Sequence, residues 1–133
     1  INRAFEGLRV CEDLVRFGVS SGPHSARTTA PIRRLRALRH ALSTELAHLP
    51  IGTRERLAAR NSRQDPGRAA RPSSGPRSVE HVLLINLQRA KEALRVLEET
   101  SRLLAPRRAA GFQRLRFRLY DVERDLLATV RHR

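Results

Sequence analysis

The sequence predicts an all-α protein, an antiparallel bundle of four main helices with one additional short helix. Two observations lead to this prediction. Apolar residues recur three and four positions apart over long stretches, which is the spacing of a helix face, and no stretch shows the alternation of a strand. Aromatic residues make up only 4% of the chain, whereas leucine, alanine and arginine dominate. The 133 residues suit one core, so we expect a single helical domain over residues 1–133.

Glycine and proline delimit the first two predicted helices. The first runs from the start of the chain to about Phe17, with Gly18 as its stop signal, and residues 18–27 form a connector. Thr29 is expected to cap the second helix, with Pro31 in an early helical position. The apolar stripe of the second helix consists of Ile32, Leu35, Leu38, Leu42, Leu46 and Leu49.

The second half of the chain predicts a short helix, an irregular segment and two long helices. Pro50 ends the second helix, residues 53–60 form the short helix, and residues 61–77 are rich in Arg, Pro, Gly and Ser. Irregular segments this long in compact domains are functional or disordered. Ser78 is expected to cap the third helix, which stops before Pro106. The apolar stripe of the fourth helix consists of Phe112, Leu115, Leu119, Val122, Leu126 and Val130.

The net charge of the chain is strongly positive, +14, and rests on arginine, because Lys91 is the only lysine. A positive net charge is compatible with nucleic acid, acidic lipid or phosphorylated small molecules as partners, but it does not distinguish between them. No apolar run approaches the ~20 residues that span a bilayer, and no signal-peptide pattern is present, so we expect no membrane partner.

The single cysteine, Cys11, lies on an apolar helix face and can form no internal disulfide. This indicates a buried structural thiol and a reduced, cytoplasmic setting. The chain begins at Ile1, already inside its first helical pattern and without a cap. We therefore expect that residues upstream of Ile1 are missing.

One segment of the sequence occurs twice. Residues 3–13 and 89–99 are identical at seven of eleven positions, and both contain Glu-x-Leu-Arg-Val-x-Glu. At about 100° per residue, Glu6, Arg9 and Asp13 lie on one side of a helix, and Ala4, Leu8, Cys11 and Leu14 lie on the other. The second copy repeats this division, with Glu92, Arg95 and Glu99 opposite Ala90, Leu94 and Leu97. Glu–Arg pairs of this kind support a helix by ~0.2–0.5 kcal/mol each. Alternatively, the two helices are related by a pseudo-twofold axis and face each other across a cleft lined with arginines and carboxylates.

The chemical inventory of the chain is limited. No phosphate-binding loop, dinucleotide fingerprint, metal-ligand spacing of histidines or Ser/His/Asp order is present. Arginines that bind phosphate oxygens, with carboxylates that hold Mg²⁺ or accept a proton, suffice for phosphoryl transfer, although an ordinary solvated helix face contains the same groups. Asn86 lies in line with Ala90 on the apolar side, where it either ties helices together or binds a ligand. His40, beside Arg39, is the histidine of most interest.

The residues that form these motifs also match a known family. The pattern Asn-Arg-Ala-x-Glu-Gly-Leu-Arg-Val-x-Glu-Asp at residues 2–13, continuing to Arg16 and Phe17, resembles the opening of a bacterial thiamin-biosynthesis family. Its members are monofunctional hydroxymethylpyrimidine-phosphate kinases, free-standing or fused ahead of thiamin-phosphate synthase. Further matches follow in order at residues 38–40, 58–60, 86–99 and 115–120. The resemblance covers nearly the whole chain, and the two Glu-x-Leu-Arg blocks are its specific part.

The resemblance implies that ATP, with Mg²⁺, donates its γ-phosphate to 4-amino-5-hydroxymethyl-2-methylpyrimidine phosphate to give the diphosphate, and that the free alcohol is not a substrate. From their spacing, we expect six carboxylates to bind Mg²⁺ or to orient the nucleophile and ATP: Glu6, Glu12, Asp13, Glu92, Glu98 and Glu99. We expect the phosphorylated pyrimidine and ATP to be bound by Asn2, Arg3, Arg9, Arg39, His40, Arg60, Asn86, Arg89 and Arg95.

Two features of the chain depart from the family pattern. Asn61 and Arg68 stand where the family's loop has an acid and a hydroxyl, and the asparagine that would match Asn86 in the first copy falls just before Ile1. These departures favour a second hypothesis, a non-catalytic helical module that partners thiamin-phosphate synthase. A homodimer that completes the site also stays open. Nucleic-acid binding is a third and less favoured hypothesis, because seven arginines lie in residues 51–78, largely loop, without a recognition helix or an aromatic platform.

Overall fold

The computed structural model describes residues 1–19, 26–50 and 78–131, with side chains for residues 1–17, 30–50 and 78–128. Four long helices account for most of these residues: α1 (Asn2–Leu14), α2 (Ala26–Ala47), α3 (Val79–Leu104) and α4 (Ala109–Arg131). A π-helical turn, Val15–Val19, extends α1, and a 3₁₀ turn, Pro106–Arg108, joins α3 to α4. The described residues contain no strand, which confirms the all-α prediction. None of their helices is long and apolar enough to cross a membrane.

Neighbouring helices of the bundle are antiparallel. In each interface, a later residue of one helix meets an earlier residue of the other. The pairs that show this are Gly7 with Ala90 and Cys11 with Leu83 between α1 and α3, Glu98 with Arg116 and Lys91 with Glu123 between α3 and α4, and Arg34 with Asp125 and Glu45 with Gly111 between α2 and α4. Since α1 also packs on α2, the four helices close into a ring in the order α1, α3, α4, α2. As a result, α2 ends and α3 begins at opposite ends of the bundle.

The predicted apolar stripes fill the centre of this ring. The core residues that are at most 2% exposed include Leu8, Leu35, Leu38, Leu42, Leu83, Leu87, Leu94, Phe112, Leu119, Val122 and Leu126. Each fully buried side chain of this size contributes about 1.5–3 kcal/mol. The stripes predicted for α2 and α4 are thereby confirmed, apart from Val130, whose side chain lies outside the described residues.

The boundaries of the first two helices differ from the prediction. The helical path continues past Gly18 to Val19 as a π turn, instead of ending at Gly18. Helix α2 already begins at Ala26, so Thr29 is not its cap and Pro31 lies in the second turn. Pro31 is buried, and burial of its ring acts against the cost of the backbone hydrogen bond that a proline removes there.

The predicted start and end of α3 are confirmed. The hydroxyl of Ser78 accepts a hydrogen bond of 3.1 Å from the backbone N–H of His81, and Glu80 occupies the first turn. The helix ends at Leu104, two residues before Pro106. The short helix predicted at residues 53–60 and the irregular segment predicted at residues 61–77 lie outside the described residues.

Candidate functional site

The two copies of the repeated segment lie on α1 and α3, which pack directly against each other. Their contacts, Gly7 with Ala90 and Cys11 with Leu83, place the crossing of the two helices near Ala4 and Ala90. These two alanines are equivalent residues of the repeat, and both are fully buried. Because the helices are antiparallel, the copies are related by a pseudo-twofold axis through this crossing, which is the arrangement that the repeat predicts.

The helices approach closely at the crossing because the residues there are small. A Cβ atom added to Gly7 would lie only 2.8 Å from the carbonyl oxygen of Asn86 and 3.3 Å from the Cβ of Ala90. The backbone of α1 therefore rests directly on one turn of α3. Such contact belongs to the short end of the usual interaxial range, about 8 Å. Because Gly7 has no side chain to hold the helices apart, side chains of α1 and α3 that flank the crossing line one cleft.

An open cleft with a volume of about 670 Å³ lies over the crossing. Helix α1 and the residue before it contribute Ile1, Arg3, Glu6 and Gly7, and α3 contributes Asn86, Arg89, Glu92, Ala93, Val96 and Leu97. Two pairs of charged lining residues are repeat equivalents: Arg3 with Arg89, and Glu6 with Glu92. The structure therefore brings five of the predicted site residues together in one cleft. Four of them are an arginine and a glutamate from each copy of the repeat, and the fifth is Asn86.

The two cleft arginines differ from the later arginines on α1 and α3. Arg9 pairs with Asp13 at 3.4 Å, and its equivalent Arg95 pairs with the acid four residues on, at 3.1 Å. In the described part of the chain, neither Arg3 nor Arg89 has an ion pair with a carboxylate. Their forked donors are therefore available to an anionic ligand, and this geometry suits phosphate oxygens.

Asn86 forms part of the cleft wall and is 8% exposed. Its amide nitrogen donates a hydrogen bond of 2.9 Å to the carbonyl oxygen of Val82, one turn earlier in the same helix. The amide is thus satisfied within α3 and does not tie two helices together, which was one of its two predicted roles. The other predicted role, binding a ligand, stays a prediction.

The carboxylates of the cleft suit a magnesium ion that arrives with its ligand. Glu92 accepts a hydrogen bond of 3.0 Å from the side-chain amide of Gln88, and Glu6 is its repeat equivalent. No cluster of three or more His, Cys, Asp or Glu side chains that could hold a metal occurs within the described ranges. Mg²⁺ commonly takes only one or two protein carboxylates, with substrate phosphates and water as its other ligands. Glu6 and Glu92 fit that mode of binding.

Glu12 lies outside the cleft, in an ion-pair cluster that joins α1 to α2. It is only 2% exposed and accepts a hydrogen bond of 3.1 Å from Nε of Arg39. Arg16, one turn along, adds a contact of 3.5 Å. Unpaired burial of a carboxylate is costly, so these arginines allow Glu12 to sit between the helices.

Glu98, the repeat equivalent of Glu12, joins α3 to α4 in the same way. It is fully buried and accepts hydrogen bonds of 2.8 Å from Arg116 and 3.1 Å from Arg102. Burial by itself raises the pKa of Glu98, but the hydrogen bond from Arg116 and the charges of Arg116, Arg95 and Arg102 outweigh it and lower the pKa from 4.5. The hydrogen bonds to Glu98 and Tyr120 raise the pKa of Arg116 in turn.

The remaining predicted site residues do not line the cleft. Those held in ion pairs are Arg9, Glu12, Asp13, Arg39, Arg95, Glu98 and Glu99. Asn2 and His40 are exposed, and the carbonyl oxygen of His40 accepts a hydrogen bond from Thr44 within α2. Arg60 lies outside the described residues. Arg116, the partner of the buried Glu98, is not among the predicted site residues. The dipeptide Leu-Arg at residues 115–116 gives no specific signal for it, because the same dipeptide also occurs at residues 8–9, 35–36, 38–39 and 94–95.

Fold and cleft together define an all-helical domain with two equivalent arginines in one open cleft. Comparison with known proteins identifies its family. The ThiD2 family model matches residues 1–125, so the chain belongs to the ThiD2 family.

Several curated relatives are thiamine-phosphate synthases. The chain is 38% identical to that of Nostoc punctiforme over 99% of its own length and 34% of the relative. It is 37% identical to that of Gloeobacter violaceus, over 92% of the chain and 33% of the relative. It is 36% identical to that of Thermosynechococcus vestitus, over 95% of the chain and 33% of the relative. The chain thus spans about a third of the length of these relatives. No solved structure matches it.

Proposed function

We propose that this domain is a phosphotransferase of thiamin biosynthesis that converts hydroxymethylpyrimidine phosphate to its diphosphate with ATP and Mg²⁺. The proposal rests on the observation that two equivalent arginines, Arg3 and Arg89, and two equivalent glutamates, Glu6 and Glu92, line the same cleft. Membership of the ThiD2 family and the likeness to thiamine-phosphate synthases support the thiamin context.

The demands of this reaction match the residues of the cleft. The attacking atom is an oxygen of the substrate's own phosphate, and a phosphate monoester is already largely dianionic at neutral pH. It forms a bond to the γ-phosphorus of ATP while the bond to the β–γ bridging oxygen breaks and ADP leaves. No strong general base is needed, and the main obstacle is the repulsion between two polyanions. Phosphoryl transfer of this kind depends on positioning and charge neutralisation.

In this proposal the cleft residues have two roles. Arg3 and Arg89 bind phosphate oxygens and reduce the repulsion between the two substrates. Glu6 and Glu92 hold the Mg²⁺ that accompanies ATP, which neutralises charge on the phosphates when it is bound. The exposed sides of α1 and α3 supply these groups, while the opposite sides of the same helices form the core.

An ADP-release assay tests the proposal. The chain is supplied with ATP and Mg²⁺, and with the pyrimidine monophosphate or the free alcohol in parallel. We expect turnover of the monophosphate alone, and a loss of about a hundredfold in kcat/KM for both Arg3→Gln and Arg89→Gln. The matched control is Arg114→Gln, an exposed arginine on α4 outside the cleft, which should leave the rate unchanged. Turnover of the free alcohol, or equal losses in all three variants, contradicts the proposal.

The length of the relatives favours a second candidate. Because the chain spans about a third of each synthase that it matches, it could serve as a non-catalytic module that binds the pyrimidine phosphate beside a synthase domain. The same assay separates the two candidates when it is combined with calorimetry. Binding of the monophosphate without ADP release, in the presence of ATP and Mg²⁺, indicates the module.

A further inference from the structure

We propose that the cleft consists of two equivalent half-sites, one from each repeat, and that its ligand presents two phosphoryl groups, one to Arg3 and one to Arg89. The identity of the ligand in the cell rests on the function proposed above. The half-site arrangement concerns only the geometry of the cleft, and it applies equally to a diphosphate ester, to the terminal phosphates of a nucleotide and to inorganic pyrophosphate.

The arginines of the two repeats differ in whether they pair with a carboxylate. The repeat aligns three pairs of arginines on the two segments: Arg3 with Arg89, Arg9 with Arg95, and Arg16 with Arg102. The members of the second and third pairs bind acids one turn away on their own segments. Only the first pair has no carboxylate partner within the described residues, and only this pair lines the cleft. Both repeats thus leave the same arginine available at the same place.

The crossing of α1 and α3 also favours two half-sites. Arg3 and Arg89 are equivalent residues of the repeat on two antiparallel helices, and both line the one cleft. At Gly7 the backbone of α1 rests directly on α3, as in helix pairs at the short end of the usual interaxial range, about 8 Å, so the two helices that carry the arginines are close together. A ligand with two linked phosphoryl groups, lying across the axis, meets one forked guanidinium at each end.

The charged side chains of the two repeats balance each other in the cleft. Arg3 and Arg89 are matched by the carboxylates of Glu6 and Glu92, so the four side chains carry no net charge. A bare diphosphate is therefore attracted by two groups and repelled by two. A diphosphate that carries Mg²⁺ meets the arginines through its phosphate oxygens and the carboxylates through the metal. The cleft should accordingly prefer the magnesium complex.

Isothermal titration calorimetry of the complete chain with inorganic pyrophosphate and orthophosphate tests the proposal. With Mg²⁺, we expect pyrophosphate to bind at least roughly tenfold more tightly than orthophosphate, because it engages two charge-assisted sites instead of one. Arg3→Gln and Arg89→Gln should weaken pyrophosphate binding by the same factor, within about threefold, and each should abolish the preference over orthophosphate. Removal of Mg²⁺ should weaken pyrophosphate binding to the unmodified chain. Arg114→Gln should bind both anions as the unmodified chain does.

Three outcomes overturn the proposal. In the first, pyrophosphate binds no more tightly than orthophosphate. In the second, substitution of only one of the two arginines weakens pyrophosphate binding. In the third, the Arg114→Gln control loses as much affinity as the cleft variants. The proposal and the proposed function fail in different ways. Symmetric pyrophosphate binding without ADP release removes the kinase and leaves the half-sites, whereas ADP release with unequal arginines leaves the kinase and removes the half-sites. Titration with the pyrimidine monophosphate and ADP, separately and together, then shows which phosphates occupy the half-sites.

Discussion

Glu12 and Glu98, which are 86 residues apart in the chain, are buried repeat equivalents, and each accepts a hydrogen bond from an arginine of the following helix, Arg39 or Arg116. Each carboxylate therefore joins the two helices of one hairpin. The bundle consists of two similar hairpins, α1 with α2 and α3 with α4, and the cleft lies where α1 meets α3. Buried acids hold each hairpin together, while the cleft arginines lie between the hairpins and are available to a ligand.

Removing Arg116 should destabilise the protein. Arg116 is 12% exposed and donates the shortest hydrogen bond to Glu98, so Arg116→Ala leaves a buried carboxylate with only the two half-exposed arginines of its own helix. We expect the free energy of unfolding to fall by roughly 1–3 kcal/mol, measured by urea denaturation. Arg118→Ala is the control, because Arg118 is exposed on the same helix and has no ion pair within the described residues. A similar effect of both substitutions would show that the buried pair contributes nothing specific.

The lowered pKa of Glu98 predicts a dependence of stability on pH. Because the folded state lowers this pKa from 4.5, the charged carboxylate stabilises the fold fully above pH 4.5. That contribution is lost as the pH falls through the lowered folded value. The difference in unfolding free energy between the unmodified protein and Glu98→Gln should therefore be largest near neutral pH and shrink below pH 4.5. Glu99→Gln, at a half-exposed position, is the control and should change the unfolding free energy only slightly.

Gly7 and Gly111 should respond to alanine with opposite signs. In a helix interior, Gly→Ala gains up to about 1 kcal/mol from helix propensity alone. At Gly7 the new Cβ would meet the backbone oxygen of Asn86 at 2.8 Å, which cannot move without displacing α3. Overpacking of this kind costs about 1–3 kcal/mol, so Gly7→Ala should be destabilising overall and should also reduce ligand binding in the cleft.

Gly111 is the matched control for Gly7. A Cβ atom there would meet the side-chain carboxylate of Glu45, which is the flexible end of a half-buried residue and can swing aside. Gly111→Ala should therefore be neutral or stabilising in urea denaturation. Stabilisation by both substitutions would show that the close approach of α1 and α3 is not required by the fold.

Cys11 should be unreactive in the folded protein. Burial raises the pKa of its thiol to about 12, and the negative charge of Glu123 acts in the same direction. The thiolate, which is the reactive form, is then almost absent at pH 8. We expect slow modification by a disulfide reagent in buffer and rapid modification in 6 M guanidinium chloride, followed by absorbance. Rapid modification in buffer would show that the α1–α3 interface opens readily.

The apolar periodicity of the chain was sufficient to predict the main helices and their buried faces. Leu35, Leu42, Phe112 and Leu119 are all in the core as their spacing requires, because a helix turns by the same angle at every residue. The repeat was sufficient to predict that α1 and α3 are equivalent. The start of α2 could not be predicted in this way, since proline favours the first helical turn, whereas Pro31 lies in the second turn of a helix that begins at Ala26.

Which polar residues line the cleft and which form ion pairs between helices was decided by the tertiary structure. Within one copy of the repeat, Glu6 and Glu12 have the same chemistry, and the motif leads us to expect both in the site. At about 100° per residue, however, Glu12 borders the apolar stripe and Glu6 lies opposite it. The structure places Glu6 in the cleft and Glu12 beneath Arg39. Which arginine meets the buried carboxylate depends on the direction and crossing position of the neighbouring helix. Periodicity determines the face of a helix on which a residue lies, but contacts between residues far apart in the chain determine what that face meets.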